Sequence, residues 1–283
     1  MTVMRVKKVV ERLLKAIILL LIPVLVLSGY VLWQQELFIF PGVTFPKSSA
    51  PFVLLPGVRE LKLSTSDGET LQAFTTLSEG EEPPFVAVIF HGNGETAEQQ
   101  NFIPFFKKVG IPALTFDYRG YGHSTGWPSE EGIYKDAEAA AAMVQNLTGL
   151  PFSKFVLLGN SIGSGPAAYL ASKIQPRALI IVAGYQDFAE LVAEKPPYSL
   201  LRFGLRYRFP VRDYLRKLTS QCVILAHGEK DEIIPFSHLA GISSAVPSSS
   251  TLRVLTSDRA MHGDIYYKVE QQLVDETRGC LGL

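Results

Sequence analysis

Cysteine is scarce in this chain, with two among 283 residues, Cys222 and Cys280. That excludes a disulfide-stapled miniature scaffold and a Cys-rich zinc site. Cys222 lies in the apolar run Cys222-Val223-Ile224-Leu225, where a buried thiol is the simplest expectation. Charge is sparse as well, 19% against roughly 25% for an ordinary globular chain, and Lys+Arg and Asp+Glu both number 27. A formal charge of zero supplies no basic field for nucleic acid, so no nucleic-acid partner is expected. Internal repeats, low-complexity tracts and metal-ligand patterns such as His-Glu-x-x-His are missing, and neither a metal nor an organic cofactor is implied. Apolar residues are plentiful: 47% hydrophobic, with 17 Phe and 11 Tyr, which is ample for a core and excludes disorder of the whole chain.

The neutral total hides an asymmetry. Residues 1–15 carry Arg5, Lys7, Lys8, Arg12 and Lys15 against Glu11 alone, and residues 16–33 carry no charge. Positions 34–283 therefore hold 22 basic and 26 acidic residues, a formal charge of −4. As a helix, 16–33 spans roughly 27 Å, close to the roughly 30 Å hydrocarbon core of a bilayer. Pro23 and Gly29 are tolerated in lipid-spanning helices, and Tyr30 and Trp33 suit an interfacial anchor. Cations before the span and none just after it predict a single pass, with the N-terminus in the cytoplasm and the remainder on the non-cytoplasmic side. A cleavable signal peptide, cut near Val26-Leu27-Ser28, is the rival; the chain stays apolar through Leu37-Phe38-Ile39-Phe40, which argues for retention. The expected organisation is a basic arm (1–15), a signal anchor (16–33), a linker (34–56) and one domain (57–283).

Within that domain, Leu61–Thr65 and Leu71–Thr75 alternate with period two around Ser66-Asp67-Gly68-Glu69 and predict an antiparallel hairpin. Continuous apolar runs follow, the mark of strands buried on both faces: 85–90, 113–116, 155–158, 178–182, 222–225 and 252–255. Helical patterns separate them, at 97–109, 129–147, 161–174, 236–246 and 265–278. A hairpin followed by repeated βα units predicts an α/β fold, a mostly parallel sheet with helices on both faces. Residues 186–221 exceed an ordinary crossover and interleave aromatics (Tyr198, Phe203, Tyr207, Phe209, Tyr214) with Lys195, Arg202, Arg206, Arg208, Arg212, Arg216 and Lys217. The plainer expectation is a helical insert whose aromatics pack on the sheet; the sharper one is a short cap over the site, touching anionic headgroups.

Ligands of open α/β sheets bind beyond the carboxyl ends of the strands. The run 155–158 is followed by Gly159-Asn160-Ser161-Ile162-Gly163, a G-x-S-x-G motif between strand and helix. Such a turn needs tiny neighbours at −2 and +2 and points a strained serine into the site. Gly163-Ser164-Gly165-Pro166-Ala167-Ala168 also fits a loose dinucleotide fingerprint, but Gly163 already lies within the helix, so a dehydrogenase is disfavoured. Serine needs a base, and the base an orienting acid; with this turn the order is Ser, acid, His. That order removes His91 and His123. Asp231 follows the run 222–225, and His262 follows 252–255; His227 precedes the acid and His238 falls in a helix, so both are read as structural. The candidate catalytic residues are Ser161, Asp231 and His262. The candidate oxyanion donors are the backbone N–H of Ile162 and that of Asn93 in His91-Gly92-Asn93-Gly94-Glu95, with Gly94 next.

Together, His91-Gly92-Asn93-Gly94, Asp117-Tyr118-Arg119-Gly120-Tyr121-Gly122-His123-Ser124, Gly159–Gly165, His227–Asp231 and His262-Gly263-Asp264 resemble the α/β-hydrolase superfamily. The likeness covers roughly 50–283. It is nearest to the membrane-anchored branch with a short cap, which includes protein depalmitoylases and lysophospholipid and monoacylglycerol lipases. The resemblance implies a structural role for Asp117–Ser124, with a buried Asp117–Arg119 ion pair. Gly184-Tyr185-Gln186 departs from the Ser- or Pro-rich turn of many relatives, which bears on the acyl pocket. Asn146-Leu147-Thr148 matches a glycosylation sequon, relevant only in a eukaryotic secretory lumen.

The expected function is a membrane-tethered serine hydrolase acting on a small-molecule or lipid-like acyl ester or thioester. Two alternatives stand beside it: a peptidase or amidase on the same triad, and a catalytically idle membrane adaptor.

Overall fold

The computed structural model describes residues 2–45, 47, 53–78, 80, 82–195 and 198–283. Parts of the expected arm, linker and cap lie outside the described residues: the side chains of Arg5 and Tyr198, and residues 46, 48–52 and 196–197. In chain order the elements are α1 (Thr2–Trp33), α2 (Gln35–Ile39), β1 (Arg59–Ser64), β2 (Thr70–Thr75), β3 (Val86–Phe90), α3 (Ile103–Val109), β4 (Ala113–Phe116), α4 (Glu130–Thr148), β5 (Phe155–Asn160), α5 (Ser164–Ile174), β6 (Ala178–Val182), α6 (Phe188–Ala193), α7 (Val211–Leu215), β7 (Cys222–Gly228), α8 (Ser237–Ala245), β8 (Thr251–Ser257) and α9 (Ile265–Leu281).

The strands form one sheet in the order β1-β2-β4-β3-β5-β6-β7-β8. β2 runs antiparallel to β1 and β4, and all other pairs are parallel. Each apolar run feeds two cores because successive side chains point to opposite faces. Val86, Val88, Phe90, Leu157, Leu179 and Ile181 join the core under α4, α5 and α8. Ala87, Ile89, Val156, Leu158, Ile180 and Ile224 join the core under α3 and α9. β8 differs from the expectation of burial on both faces. It is the sheet's edge, Val254 is 44% exposed, and Arg253 reaches Glu276 of α9 at 3.0 Å.

α1 contains the segment Lys7–Trp33, long and apolar enough to cross a membrane. Its middle is not covered by any of the described residues: Leu19 and Leu20 are 73% and 71% exposed. The segment 34–56, expected as a linker, packs in its first half. α2 and the 3₁₀ turn Pro41–Thr44 continue from α1, and Phe40 is 1% exposed against Tyr207 and Phe209.

Two expectations are corrected. Arg119 does not pair with Asp117; its guanidinium meets Asp136 and Asp67, each at 2.9 Å. Cys222 is not a free thiol but is bonded to Cys280, 58 residues away. The bridge ties the start of β7 to the end of α9. Closing a loop of that length stabilises by restricting the unfolded chain, typically about 2–4 kcal/mol. Replacing both cysteines with serine, or reducing the wild type, is therefore expected to lower the denaturant midpoint of the domain in detergent. A midpoint indifferent to reductant would show that the bridge carries no stability.

Candidate active site

Four strand ends converge at the carboxyl edge of the sheet. β5 ends at Asn160, a 3₁₀ turn covers Ser161–Gly163, and α5 starts at Ser164. Ser161 has φ +53°, a left-handed conformation that costs a non-glycine residue about 1–3 kcal/mol. The turn closes only because its flanks lack side chains. A Cβ on Gly159 would lie 2.6 Å from the Gly163 carbonyl oxygen, and one on Gly163 only 2.2 Å from that of Phe90. Strand β5, its elbow and the end of β3 are thereby in backbone contact.

β7 delivers Asp231 and β8 delivers His262. His262 Nε2 lies 2.9 Å from Ser161 Oγ, and its Nδ1 lies 2.8 Å from Asp231 Oδ2. The second carboxylate oxygen, Oδ1, accepts the N–H groups of Ile233 and Ile234 at 2.9 and 2.7 Å. Burial alone would raise the Asp231 pKa; the His262 hydrogen bond and those two N–H groups outweigh it and hold the carboxyl below its ordinary value. A fixed carboxylate of this kind selects the imidazole tautomer with hydrogen on Nδ1, leaving Nε2 as an acceptor toward Ser161.

The loop after β3 faces the same point. Gly92, Asn93, Ser161, Ile162 and His262 line one cleft of about 640 Å³, whose apolar wall includes Phe102, Tyr185, Phe188 and Leu191. Asn93 Oδ1 accepts the Tyr121 hydroxyl at 3.0 Å, which fixes the residue through its side chain. The Gly92 N–H is committed to Glu95 Oε2 at 2.7 Å.

Comparison with known proteins agrees with this architecture. A family model described as the alpha/beta hydrolase fold matches residues 86–211. An uncharacterized protein of Mycobacterium tuberculosis is 30% identical over 78% of this chain and 79% of its own length. The chain belongs to the α/β-hydrolase superfamily. It is also similar to alpha/beta hydrolase domain-containing protein 17C of Xenopus tropicalis, 30% identical over 64% of this chain and 57% of that protein. An esterase of Pyrococcus furiosus shares the fold with a TM-score of 0.66 and 15% identity, over 84% of this chain and 97% of that structure.

The remaining histidines of this α/β-hydrolase chain lie apart from the serine. His227 is buried behind Asp231, with Nε2 3.0 Å from the Ile234 carbonyl oxygen and 3.5 Å from Asp231 Oδ2; burial pulls its pKa down. His238 joins α8 to the insert, accepting the Gln186 N–H at 3.1 Å and lying 3.3 Å from Glu194. His123 sits 3.8 Å from Glu98.

Glu95 was not singled out from sequence as a site residue. Beyond Gly92 it takes the Asn160 amide, 3.3 Å from each carboxylate oxygen, and so ties the β3 loop to the residue before Ser161. Its signal was its place at the end of His91-Gly92-Asn93-Gly94-Glu95, three residues after the N–H it accepts.

Behind the loop, buried His91 hydrogen-bonds the Gly92 carbonyl through Nδ1 at 2.8 Å and stands 3.7 Å from Asp117. Asp117 accepts the Ala97 N–H, yet burial pushes its pKa up to about 7. With a folded-state pKa above the unfolded one, the native chain binds that proton more tightly. Stability then falls as pH rises from the ordinary carboxylate range to about 7 and levels beyond it. Asp117→Asn is expected to flatten this slope, gaining on wild type at about pH 8 relative to about pH 5. Parallel stability curves for the two proteins would refute the assignment.

Proposed function

We propose that this chain is a membrane-tethered serine hydrolase that cleaves carboxylic ester or thioester bonds of lipid-like or acylated substrates. The observation that carries the reading is one imidazole placed between Asp231 at 2.8 Å and a strained Ser161 at 2.9 Å, at the floor of a largely apolar cleft. Ser161 Oγ attacks the acyl carbon while His262 Nε2 takes its proton. The N–H groups of Ile162 and Asn93 receive the oxyanion. Collapse of the tetrahedral intermediate breaks the bond to the alkoxide or thiolate, which leaves with the proton from His262. Water then loses a proton to His262, attacks the acyl-enzyme and releases the carboxylic acid, and the proton returns to Ser161. Asp231 keeps the imidazole oriented and offsets its charge throughout.

Glu95 acts as a positioning residue in this scheme, because it fixes the loop that carries the Asn93 N–H. The name of the Pyrococcus furiosus relative, an esterase, supports ester chemistry on this fold. α1 serves as an uncleaved anchor with its basic end in the cytoplasm. The Cys222–Cys280 bridge supports a domain on the oxidising, non-cytoplasmic side.

The test is labelling by a fluorophosphonate in membranes, followed by turnover of p-nitrophenyl esters of increasing chain length and of matched thioesters. Ser161→Ala should abolish labelling and lower kcat by about 10⁵-fold or more. A folded wild type that neither labels nor turns over would leave the idle adaptor standing. Glu95→Ala should lower kcat by about 10–100-fold with little change in KM, since a misplaced oxyanion donor weakens the transition state selectively. Glu95→Gln, which retains an acceptor for Gly92, should recover most of the loss; equal defects in both would assign Glu95 another role.

A further inference from the structure

The end of α1 is not a free tether. Gln35, 4% exposed, donates through Nε2 to the Leu32 carbonyl at 2.6 Å and accepts the Arg206 N–H at 2.8 Å. Glu36 takes the Arg206 guanidinium and the Tyr207 hydroxyl, the latter at 2.7 Å. Gly204 lies so near α1 that a Cβ there would meet Leu32 Cδ1 at 2.6 Å. The insert is thus seated directly on the last turn of the apolar helix.

This contact sets a depth. Eighteen helical residues, 16–33, rise about 27 Å, so if α1 spans a bilayer its Tyr30–Trp33 end reaches the headgroup boundary. Leu32 touches Gly204, and the residue before Gly204 is Phe203, 77% exposed, with the Arg202 guanidinium 4.7 Å from its ring centroid. On the α1–α2 side, Trp33 and Phe38 are 70% and 59% exposed. A ring this exposed leaves apolar area in water, whatever the cation beside it contributes. At a bilayer surface the ring enters the acyl boundary while the guanidinium meets phosphate.

We infer that the 3₁₀ turn Tyr198–Phe203, with Arg202 and Phe203 at its tip, docks on the phospholipid interface of the membrane that holds α1. The turn packs against α6, whose Phe188 and Leu191 line the cleft. Lipid contact and one wall of the cleft therefore belong to the same small unit, which favours substrates drawn from the leaflet. The inference rests on α1 being a membrane anchor, and its test separates the two.

The chain has two tryptophans, Trp33 and Trp127, so single-tryptophan versions are simple to make. One combines Trp33→Phe, Trp127→Phe and Phe203→Trp; a companion carries Trp127→Phe alone. Both are reconstituted full-length in phosphatidylcholine–phosphatidylglycerol vesicles, with and without brominated acyl chains. Docking gives blue-shifted emission at position 203 and quenching by about twofold or more. Water-like, unquenched emission at 203 beside a quenched Trp33 overturns docking and leaves the anchor intact. If neither is quenched, α1 is outside the bilayer and both readings fall. In native background, Phe203→Ser should preserve turnover of soluble p-nitrophenyl butyrate and lower that of a vesicle-embedded long-chain ester by about tenfold. Equal loss on both substrates, or on neither, would also overturn docking.

Discussion

The backbone approach of Gly163 to the Phe90 carbonyl is the constraint on which the site depends. A methyl group at Gly163 would fall 2.2 Å from that oxygen, so any side chain would lift the elbow off β3. Three consequences follow from the contact. It forces the chain to reverse in one residue, which is why Ser161 takes φ +53°. It lays the start of α5 against the end of β3, which puts the loop 91–95 beside Ser161. It also fixes Ser161 relative to the neighbouring strand ends, so that one imidazole arriving from β8 can span the distance to an aspartate arriving from β7. The strain in the turn is held by the sheet around it, because β5 is hydrogen-bonded on both sides along its length.

Much of this was legible in the sequence because it is encoded locally. The apolar runs fell on β3 to β7 since a strand covered on both faces has no polar positions to spare. The order Ser161, Asp231, His262 could be read because each residue follows such a run by a few positions. The edge strand β8 was the run most interrupted by a charge, Arg253, and exposure is its physical meaning. What stayed hidden depends on pairings between distant elements. Cys222 and Cys280 meet only once α9 has packed along the sheet, and no local pattern announces that. Arg119 lies two residues from Asp117, yet the fold offers it Asp136 from α4 and Asp67 from the hairpin turn. Gln35 and Glu36 look like solvated polar residues in sequence; their partners are about 170 positions away, in the insert.

The buried polar groups divide by purpose. Arg119 with Asp67 and Asp136 is a closed network that binds the hairpin, the 117–124 loop and α4 into one support beneath the β3 loop. Asp231 is held ionised by N–H donors and an imidazole, which suits the charge-balancing role proposed for it. Asp117 has less compensation: Oδ1 takes the Ala97 N–H, Oδ2 has no hydrogen-bond partner among the described residues, and burial pushes its carboxyl to about 7. Carboxylates of the same chain are thus driven in opposite directions, by burial at Asp117 and by hydrogen-bond donors at Asp231, and the ionised one holds the imidazole that lines the cleft.

The packed end of α1 changes what tethering means for such a site. A flexible linker of 23 residues would have a root-mean-square reach of roughly 26 Å. That exceeds the radius of gyration of about 17 Å expected for a domain of this size, so the cleft would sample all orientations. Here Gln35, Glu36 and Phe40 are fastened to the insert, so a domain anchored through α1, as proposed, turns only as far as α1 tilts. A fixed orientation is useful only if it is the right one, because a cleft clamped away from the bilayer would be worse placed than one on a loose chain. The exposed ring of Phe203 next to the seat of Leu32 supplies the bias. Turning it toward the bilayer removes apolar area from water, and turning it away leaves that area exposed. Under the proposed anchoring and docking, clamp and tip act on the same degree of freedom, the tilt of the domain on α1, and together they favour the pose in which the α6 wall of the cleft lies nearest the lipid.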